Sequence, residues 1–466
     1  MSYKTDSYDP DYVEGEQGGA FDAIANFDGD GAQLLTLALC LFVIPTVGWL
    51  ISAAFAVGDE ANLVTELAIG GYALGALIFL IIIGSPKVAG TDRERMSMIF
   101  GPSVRFVMLL LAGSVLVQAA LFIYSLFTLE ASTIGRVHGG IMLAVGLGAL
   151  IVCYSLIRSA FGLFAVQPMA IRAVVANSPP LRDRVNSLAH ELGAARPDNI
   201  AIGLEPNFFV TSAPVNLVGY EQQLHGTTLF VSLSLMRILS DAEFNAVIGH
   251  ELGHFRGADT TYSLKFAPTY SRLSHALWVL SHGSQSASDL ARIPALAALS
   301  AHLTRFAKSE RTVGRQRELL ADEAGASVAD PKALATALLK VAIFSQNWNW
   351  LTQRHIAELG EGRTYTKLAT TFTEVSALAP DVNWQELRGS VASAVQAHPI
   401  DTHPTFAERV QALGLSVDKL EAADCAHPEQ CAAHLLGNSD EIDVELSELE
   451  ANWLIAIGAA QLPQTA

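Results

Sequence analysis

Four long apolar runs in the first third of the 466-residue sequence constrain its fold more than any other feature. They occupy residues 34–57, 63–83, 107–129 and 140–157. Glu66 is the one charged residue in them. Each run has about 18 residues or more, enough for a helix to cross the ~30 Å hydrocarbon layer of a bilayer. The sequence therefore predicts four transmembrane helices within residues 32–166, preceded by a disordered acidic tail at residues 1–31.

Basic residues beside the apolar runs predict the orientation of the chain. Those between the second and third runs are Lys87, Arg93, Arg95 and Arg105, and those after the fourth run include Arg158, Arg172, Arg182 and Arg184. The connection between the first two runs has neither Lys nor Arg. By the positive-inside rule, both termini and the globular part lie in the cytoplasm, on the inner face of the cell's inner (plasma) membrane.

The net charge and the cysteines narrow the classes of partner and site. The 46 Asp and Glu residues outnumber the 29 Lys and Arg residues and give a net charge of −17. A nucleic-acid partner would require a basic surface, so none is expected. Cys425 and Cys431 flank His427, but two thiols and one imidazole are too few for a closed zinc site. We expect these thiols to be reduced and unpaired.

Residues from about 169 onwards have the composition of a globular domain. Short segments rich in branched and aromatic residues predict strands at residues 200–204, 207–212 and 227–233. Apolar periodicity predicts helices at residues 181–192, 316–326 and 331–344. The predicted fold class is mainly α with a small β-sheet, comprising a domain at residues 167–415 and an acidic C-terminal extension at residues 416–466.

A metal-binding pattern lies on a further predicted helix, which begins at the capping-box pair Ser240 and Glu243. The sequence His-Glu-Leu-Gly-His follows at residues 250–254. Residues four apart share one helix face, so His250 and His254 can bind the same ion. Glu251 is close enough to act as a general base on a water molecule there.

A catalytic zinc ion takes three protein ligands and keeps one open position, so a third ligand is required. Glu318 and Asp322 lie four residues apart on the predicted helix at residues 316–326. We predict that Glu318 is the third ligand of one zinc ion per chain. Asp322 then suits a hydrogen-bond acceptor that orients a ligand histidine. The alternative for both acids is a solvated, salt-bridged helix face.

Three motifs together resemble the HtpX-like zinc endopeptidases, integral-membrane enzymes related to the CAAX prenyl proteases. The G-H-E-x-x-H helix of that family is matched by Gly249–His254, and an aspartate that often follows it is matched by Asp259. The R-x-R-E-x-x-A-D helix is matched by Arg315–Asp322. A late H-P-x-x-x-x-R segment is matched by His403–Arg409.

The resemblance implies a zincin-like α+β metallopeptidase domain after the transmembrane helices. It implies that His250, His254 and Glu318 bind zinc and that Glu251 is the catalytic base. It also implies that His403 and Arg409 line the cleft and hold the substrate or stabilise the oxyanion. The alternatives are a structural turn histidine at position 403 and an ion pair between Arg409 and a carboxylate such as Asp322.

Similar proteins present an edge strand to an extended substrate just before the zinc helix. Asn207 lies in a matching segment, and Asn216 lies at a more family-like distance from His250, so both are candidate substrate-binding residues. Backbone pairing along such an edge has little sequence preference. The implied function is therefore endoproteolysis of unfolded or membrane proteins, as in protein quality control.

Residues 264–306 depart from the family pattern, which commonly has two further apolar helices there. In this chain the interval is polar and is interrupted by Pro268, Gly283 and Pro294. We expect amphipathic helices that lie on the membrane or cover the cleft, not additional spans. A membrane scaffold or chaperone with a structural zinc site is the alternative function, although such a site has no need of Glu251.

Overall fold

A computed structural model describes residues 29–55, 59–133, 135–162, 168–221, 223–255, 273, 293–378, 382–392 and 404–460. The helices are α1 (Gly29–Phe55), α2 (Asp59–Ala89), α3 (Arg93–Thr133), α4 (Gly139–Gly162), α5 (Pro179–Leu192), α6 (Leu233–Met236), α7 (Asp241–Gly253), α8 (Ile293–Ser327), α9 (Pro331–Gly360), α10 (Leu368–Val375), α11 (Trp384–Ala392), α12 (Phe406–Ala412) and α13 (Ser439–Ala456). The strands are β1 (Met169–Ile171), β2 (Ala173–Val175), β3 (Asn199–Gly203), β4 (Phe209–Thr211), β5 (Val215–Leu217), β6 (Gln223–Leu224) and β7 (Thr228–Ser232).

The chain divides into two compact units, each with its own internal contacts. The helical unit contains Val13–Ala165 and Lys265–Val313, and the globular unit contains Val166–Leu264 and Gly314–Ala466. The predicted acidic tail lies outside the described residues except for its last three, which belong to α1.

Four helices of the helical unit are long and apolar enough to cross a bilayer. Among the described residues, the candidate spans are Leu34–Phe55, Asn62–Ala89, Glu94–Thr133 and Gly139–Arg158. The prediction of four N-terminal apolar helices followed by a mainly helical domain with small sheets is confirmed. The chain is a membrane protein.

Helix α3 is much longer than the hydrocarbon layer requires. Its 41 residues extend for about 60 Å, roughly twice the thickness of that layer. Within the helical unit, its first turns pack against α8, where the Phe100 and Phe306 rings meet edge to face at 4.9 Å. Ser103 Oγ lies 2.9 Å from His302 Nε2 in the same buried contact.

Helix α8 extends far beyond the predicted helix at residues 316–326. It begins at Ile293, so Pro294 stands in the first turn. A proline there is compatible with a helix, because the amide groups of the first turn have no partner within the helix. The rest of the interval at residues 264–306 lies outside the described residues, apart from Leu273.

The globular unit contains two small sheets. One has the strand order β1-β5-β6, and the other has the order β2-β3-β7-β4. In the second sheet β3 and β7 are parallel, and β4 pairs antiparallel with β7, with Phe209 opposite Phe230. Strand β4 therefore forms one edge of this sheet.

The core of the globular unit lies between the second sheet and helices α5, α7 and α9. Helix α5 begins at a Ser178 N-cap and Pro179, and it ends at Gly193, which adopts a left-handed conformation with φ of 61°. On α9, residues Leu334, Ala335, Ala337 and Leu339 are fully buried. Packing against α5 and α9 holds α7 in a fixed position within the unit.

The C-terminal extension is folded onto the same core. The Ala432 amide donates to the Leu239 carbonyl at 2.8 Å, directly before α7, and Ser178 Oγ donates to the Leu435 carbonyl at 2.6 Å. Cys425 and Cys431 are both free thiols. Helix α13 lies in this extension and includes Trp453.

Asp443 on α13 caps a helix that has no cap of its own. Its fully buried carboxylate accepts hydrogen bonds from the Ala369 amide at 2.8 Å and from the Thr370 amide at 2.9 Å, at the start of α10. Lys367, the N-cap residue of α10, makes no side-chain capping hydrogen bond. The acid also suits the positive end of the α10 dipole.

We expect Asp443→Ala to destabilise the globular unit by about 2 kcal/mol or more, because it leaves the buried Ala369 amide and the half-buried Thr370 amide without an acceptor. Chemical unfolding in detergent, followed by circular dichroism, measures the change. Glu448→Ala is the matched control, since Glu448 is an exposed acid of the same helix. Equal unfolding midpoints for the two variants would show that the cap contributes nothing.

Candidate metal centre

Helix α7 carries His250, and His254 directly follows the helix as its C-cap residue. The helix is fixed at its N-terminus. Ser240 and Glu243 form the predicted capping box, each side chain binding the other residue's backbone amide. Lys340 of α9, which is almost fully buried, donates to Glu243 Oε2 at 2.9 Å and to the Ile238 carbonyl at 3.0 Å. A charged partner strengthens the cap, so the start of α7 is tied to the core.

Lys340 was not predicted, although the sequence contains a signal for it. It is the single charged residue in the apolar stretch at residues 333–344 of α9. A lysine on a buried helix face requires an acidic partner. That partner cannot be identified from spacing, because Glu243 lies 97 residues earlier in the chain.

Three predicted ligands from two helices come together in the globular unit. One ligand atom from each of His250, His254 and Glu318 lies within 4.8 Å of the others. Glu318 Oε2 is 3.5 Å from His250 Nε2, and Glu318 Oε1 is 3.6 Å from His254 Nε2. The structure therefore brings α7 and α8 together as the predicted site requires.

The donor set fits a zinc ion in both chemistry and spacing. Imidazole nitrogens and a carboxylate oxygen are ligands that zinc accepts. Two such atoms, each bound to zinc at about 2.0–2.1 Å with tetrahedral angles, lie about 3.3–3.5 Å apart. The nitrogen-to-oxygen distances of 3.5 and 3.6 Å are close to that separation.

Asp322 lies next to the first imidazole. Its Oδ1 is 2.9 Å from His250 Nδ1. A carboxylate at this distance accepts the Nδ1 proton, which leaves Nε2 as the atom with a lone pair. The hydrogen bond thus directs the unprotonated nitrogen of His250 towards Glu318.

Arg409 of α12 pairs with Asp322 through two hydrogen bonds. Its Nε and Nη2 lie 2.9 and 2.6 Å from the two carboxylate oxygens, and the side chain is only 4% exposed. This is the ion pair that the sequence left open as the alternative for Arg409. A role in binding the substrate or the oxyanion stays a prediction.

The electrostatics of this network favour a charged Asp322. Burial alone would raise the pKa of its carboxyl, but the Arg409 guanidinium outweighs that effect and lowers the pKa to about 2. For His250, burial alone would lower the pKa, but hydrogen bonds with Asp322 and Glu318 outweigh it and raise the pKa. A zinc ion therefore competes with a proton for the His250 imidazole.

Glu251 follows His250 on α7, and its surroundings suit a base. Burial raises the pKa of its carboxyl to about 7, and the neighbouring Glu318 acts in the same direction. His250 and Arg409 oppose that rise. A pKa near the working pH is the property that general acid–base catalysis requires.

Two other predicted positions cannot be placed. His403 and Asp259 lie outside the described residues. The part of the late motif that is described begins at Pro404 and leads into α12, whose N-cap is Thr405. Glu408 in this segment forms an ion pair with Arg315, which links α12 to α8.

The two candidate substrate-binding asparagines lie in different surroundings. Asn207 is exposed and lies two residues before the edge strand β4. Asn216 lies in β5, the central strand of the other sheet, and its side chain accepts a hydrogen bond from Gln223 at 2.8 Å. Because β5 is paired on both sides, of the two positions only β4 offers an edge to a substrate.

The similarity of the chain to known proteins agrees with this geometry. The model of peptidase family M48 matches residues 179–415. A protein named Protease HtpX homolog from Archaeoglobus fulgidus is 25% identical over 345 residues, which cover 72% of this chain and 93% of that relative. Its namesake from Pyrobaculum calidifontis is 27% identical over 60% of this chain and 77% of its own length.

A shorter match has higher identity. A Protease HtpX homolog from Pyrococcus furiosus is 34% identical over 179 residues, which cover 35% of this chain and 56% of that relative. No solved structure matches the chain. The family match contains both helices of the metal centre and ends directly before the C-terminal extension.

Proposed function

The chain belongs to peptidase family M48 and is a membrane metalloprotease, and we propose that it is a zinc endopeptidase in which Glu251 is the general base. The convergence of His250, His254 and Glu318 from two separate helices carries this proposal. A solvated helix face would not bury Glu318 against two imidazoles.

In the proposed mechanism, a zinc ion held by His250, His254 and Glu318 would acidify a water molecule and polarise the scissile carbonyl. The carboxylate of Glu251 accepts the proton of the attacking water and then delivers it to the leaving amine. Asp322 keeps the proton of His250 on Nδ1, and Arg409 keeps Asp322 charged and oriented.

Among the described residues, β4 pairs with β7 on one side only, and its other edge supports an extended polypeptide as substrate. The strand contacts α7 through neighbouring residues, since the Phe208 and Phe244 rings pack edge to face at 6.1 Å. A substrate strand paired with β4 would be held through its backbone, with little dependence on its sequence. Unfolded or membrane proteins are therefore the proposed substrates, with Asn207 beside the bound strand.

The charge distribution supports a cytoplasmic active site in the plasma membrane. Lys87, Arg93 and Arg158 lie at the ends of candidate spans that are assigned to the cytoplasmic side. His403 and Arg409 belong to the segment proposed to complete the cleft. A reporter fused to the C-terminus tests this orientation. A reporter that lies on the extracytoplasmic side of the membrane would contradict it.

Metal removal tests the proposed function directly. The full chain in detergent should cleave an unfolded protein such as casein, and a chelator should abolish that cleavage. One equivalent of zinc per chain should restore the cleavage, because the three proposed ligands form one binding site. Cleavage that continues in the metal-free protein would exclude a zinc peptidase.

A further inference from the structure

Helices α7 and α8 cross unusually closely beside the metal centre, at positions that carry glycine. A Cβ atom placed on Gly325 of α8 would lie 2.4 Å from the Ala246 carbonyl oxygen and 3.1 Å from the His250 amide nitrogen. A Cβ on Gly249 of α7 would lie 2.5 Å from Val328 Cγ2 and 3.1 Å from Gly325 Cα. No side chain fits between the two backbones at this point.

The crossing point lies on the helix face that bears the acidic residues. Glu318, Asp322 and Gly325 are spaced by four and three residues, so they follow one another along one side of α8. A Cβ on Gly325 would meet the backbone of His250, while Glu318 and Asp322 contact the two nitrogens of its ring. The close approach of the α7 and α8 backbones and the distances between the proposed ligand atoms therefore depend on the same helix crossing.

We propose that Gly325 and Gly249 are positioning residues of the metal centre, which hold α8 close enough to α7 for Glu318 to reach both imidazoles. This inference rests on the proposed zinc site and assigns to the two glycines a role in its assembly. Neither glycine is one of the three proposed ligands.

The size of the displacement shows why a single methyl group matters. Ordinary contacts of a Cβ atom begin at 3.4 Å, and the atom nearest to a Cβ on Gly325 is at 2.4 Å. Relief of that contact requires a shift of about 1 Å, whereas zinc–ligand distances tolerate about ±0.2 Å. The obstructing atoms belong to the backbone of α7, so a change of rotamer cannot relieve the contact.

The decisive measurement is zinc affinity, determined by competition with a chromophoric chelator on the full chain in detergent. Gly325→Ala should weaken zinc binding by roughly 10–100-fold, the range found when groups that orient metal ligands are lost. Gly389→Ala is the matched control, because Gly389 lies in helix α11 with nothing within 4 Å of the added Cβ. Its zinc affinity should equal that of the wild type.

The visible spectrum of the cobalt-substituted protein separates positioning from a general loss of stability. A changed ligand geometry alters the d–d bands of the folded protein, whereas lower stability alone reduces only the folded fraction. A Gly325→Ala protein with the wild-type spectrum and wild-type zinc affinity overturns the inference. Failure of the wild type itself to bind zinc would instead refute the proposed function.

A second pair of variants decides the matter if Gly325→Ala does not fold. Gly249→Ala meets the Val328 side chain first, so the addition of Val328→Ala removes the nearest obstacle. We expect zinc affinity to fall in the single variant and to recover at least in part in the double variant. Unchanged affinity in Gly249→Ala, or a loss that Val328→Ala does not relieve, contradicts the proposed crossing.

Discussion

Glu251→Gln is expected to lower kcat/KM for cleavage of an unfolded protein by at least about 100-fold, with zinc still bound at one ion per chain. The amide has the shape of the carboxylate but cannot accept a proton from the attacking water. The three proposed ligands are untouched, so metal content and folding should be unchanged. Elemental analysis beside a casein-cleavage assay measures both quantities.

Glu323→Gln is the matched control for this variant, since Glu323 is an exposed acid of α8. The same substitution there should leave kcat/KM within about twofold of wild type, as for other exposed changes. A Glu251→Gln protein that cleaves casein at the wild-type rate would favour the scaffold alternative, in which zinc is structural.

Glu251 should also determine how the proteolytic activity falls at acidic pH. Glu251 must be ionised to act as a base, so activity is absent at low pH and rises as the carboxyl loses its proton. Burial raises its pKa to about 7 before metal binds, and a nearby cation lowers the pKa of a carboxyl. The acidic limb of wild-type kcat/KM is therefore expected below pH 7.

Glu318→Ala should have the second large effect, which is loss of the metal itself. Two imidazoles on one helix remain, and they supply only two of the three protein ligands that a catalytic zinc site needs. We expect zinc affinity to fall by more than the roughly 100-fold associated with groups that merely orient ligands. Cleavage of casein should fall with the zinc content.

Glu323→Ala, five residues further along α8, controls for the removal of an acid from this helix. It should bind zinc as tightly as the wild type. The matching negative result is a Glu318→Ala protein that retains one zinc ion at unchanged affinity. That outcome would show that another residue is the third protein ligand of the zinc ion.

The features that the sequence determined are those carried by short, regular spacing. Apolar runs of helical length identified the four candidate spans, because a bilayer imposes its thickness on any helix that crosses it. The spacing of four between His250 and His254 places both rings on one face wherever that helix lies. The capping box at Ser240 and Glu243 fixed the start of the helix for the same local reason.

The features that only the tertiary structure decided depend on residues far apart in the chain. Arg409 meets Asp322 across 87 residues, and nothing in their spacing distinguishes that pair from a substrate contact. Edge and central strands have similar composition, so Asn207 and Asn216 were separated only by the pairing of β4 and β5. The close crossing at Gly325 likewise depends on two helices. A glycine in the sequence shows that a side chain is missing, but it does not show which neighbouring element needs the space.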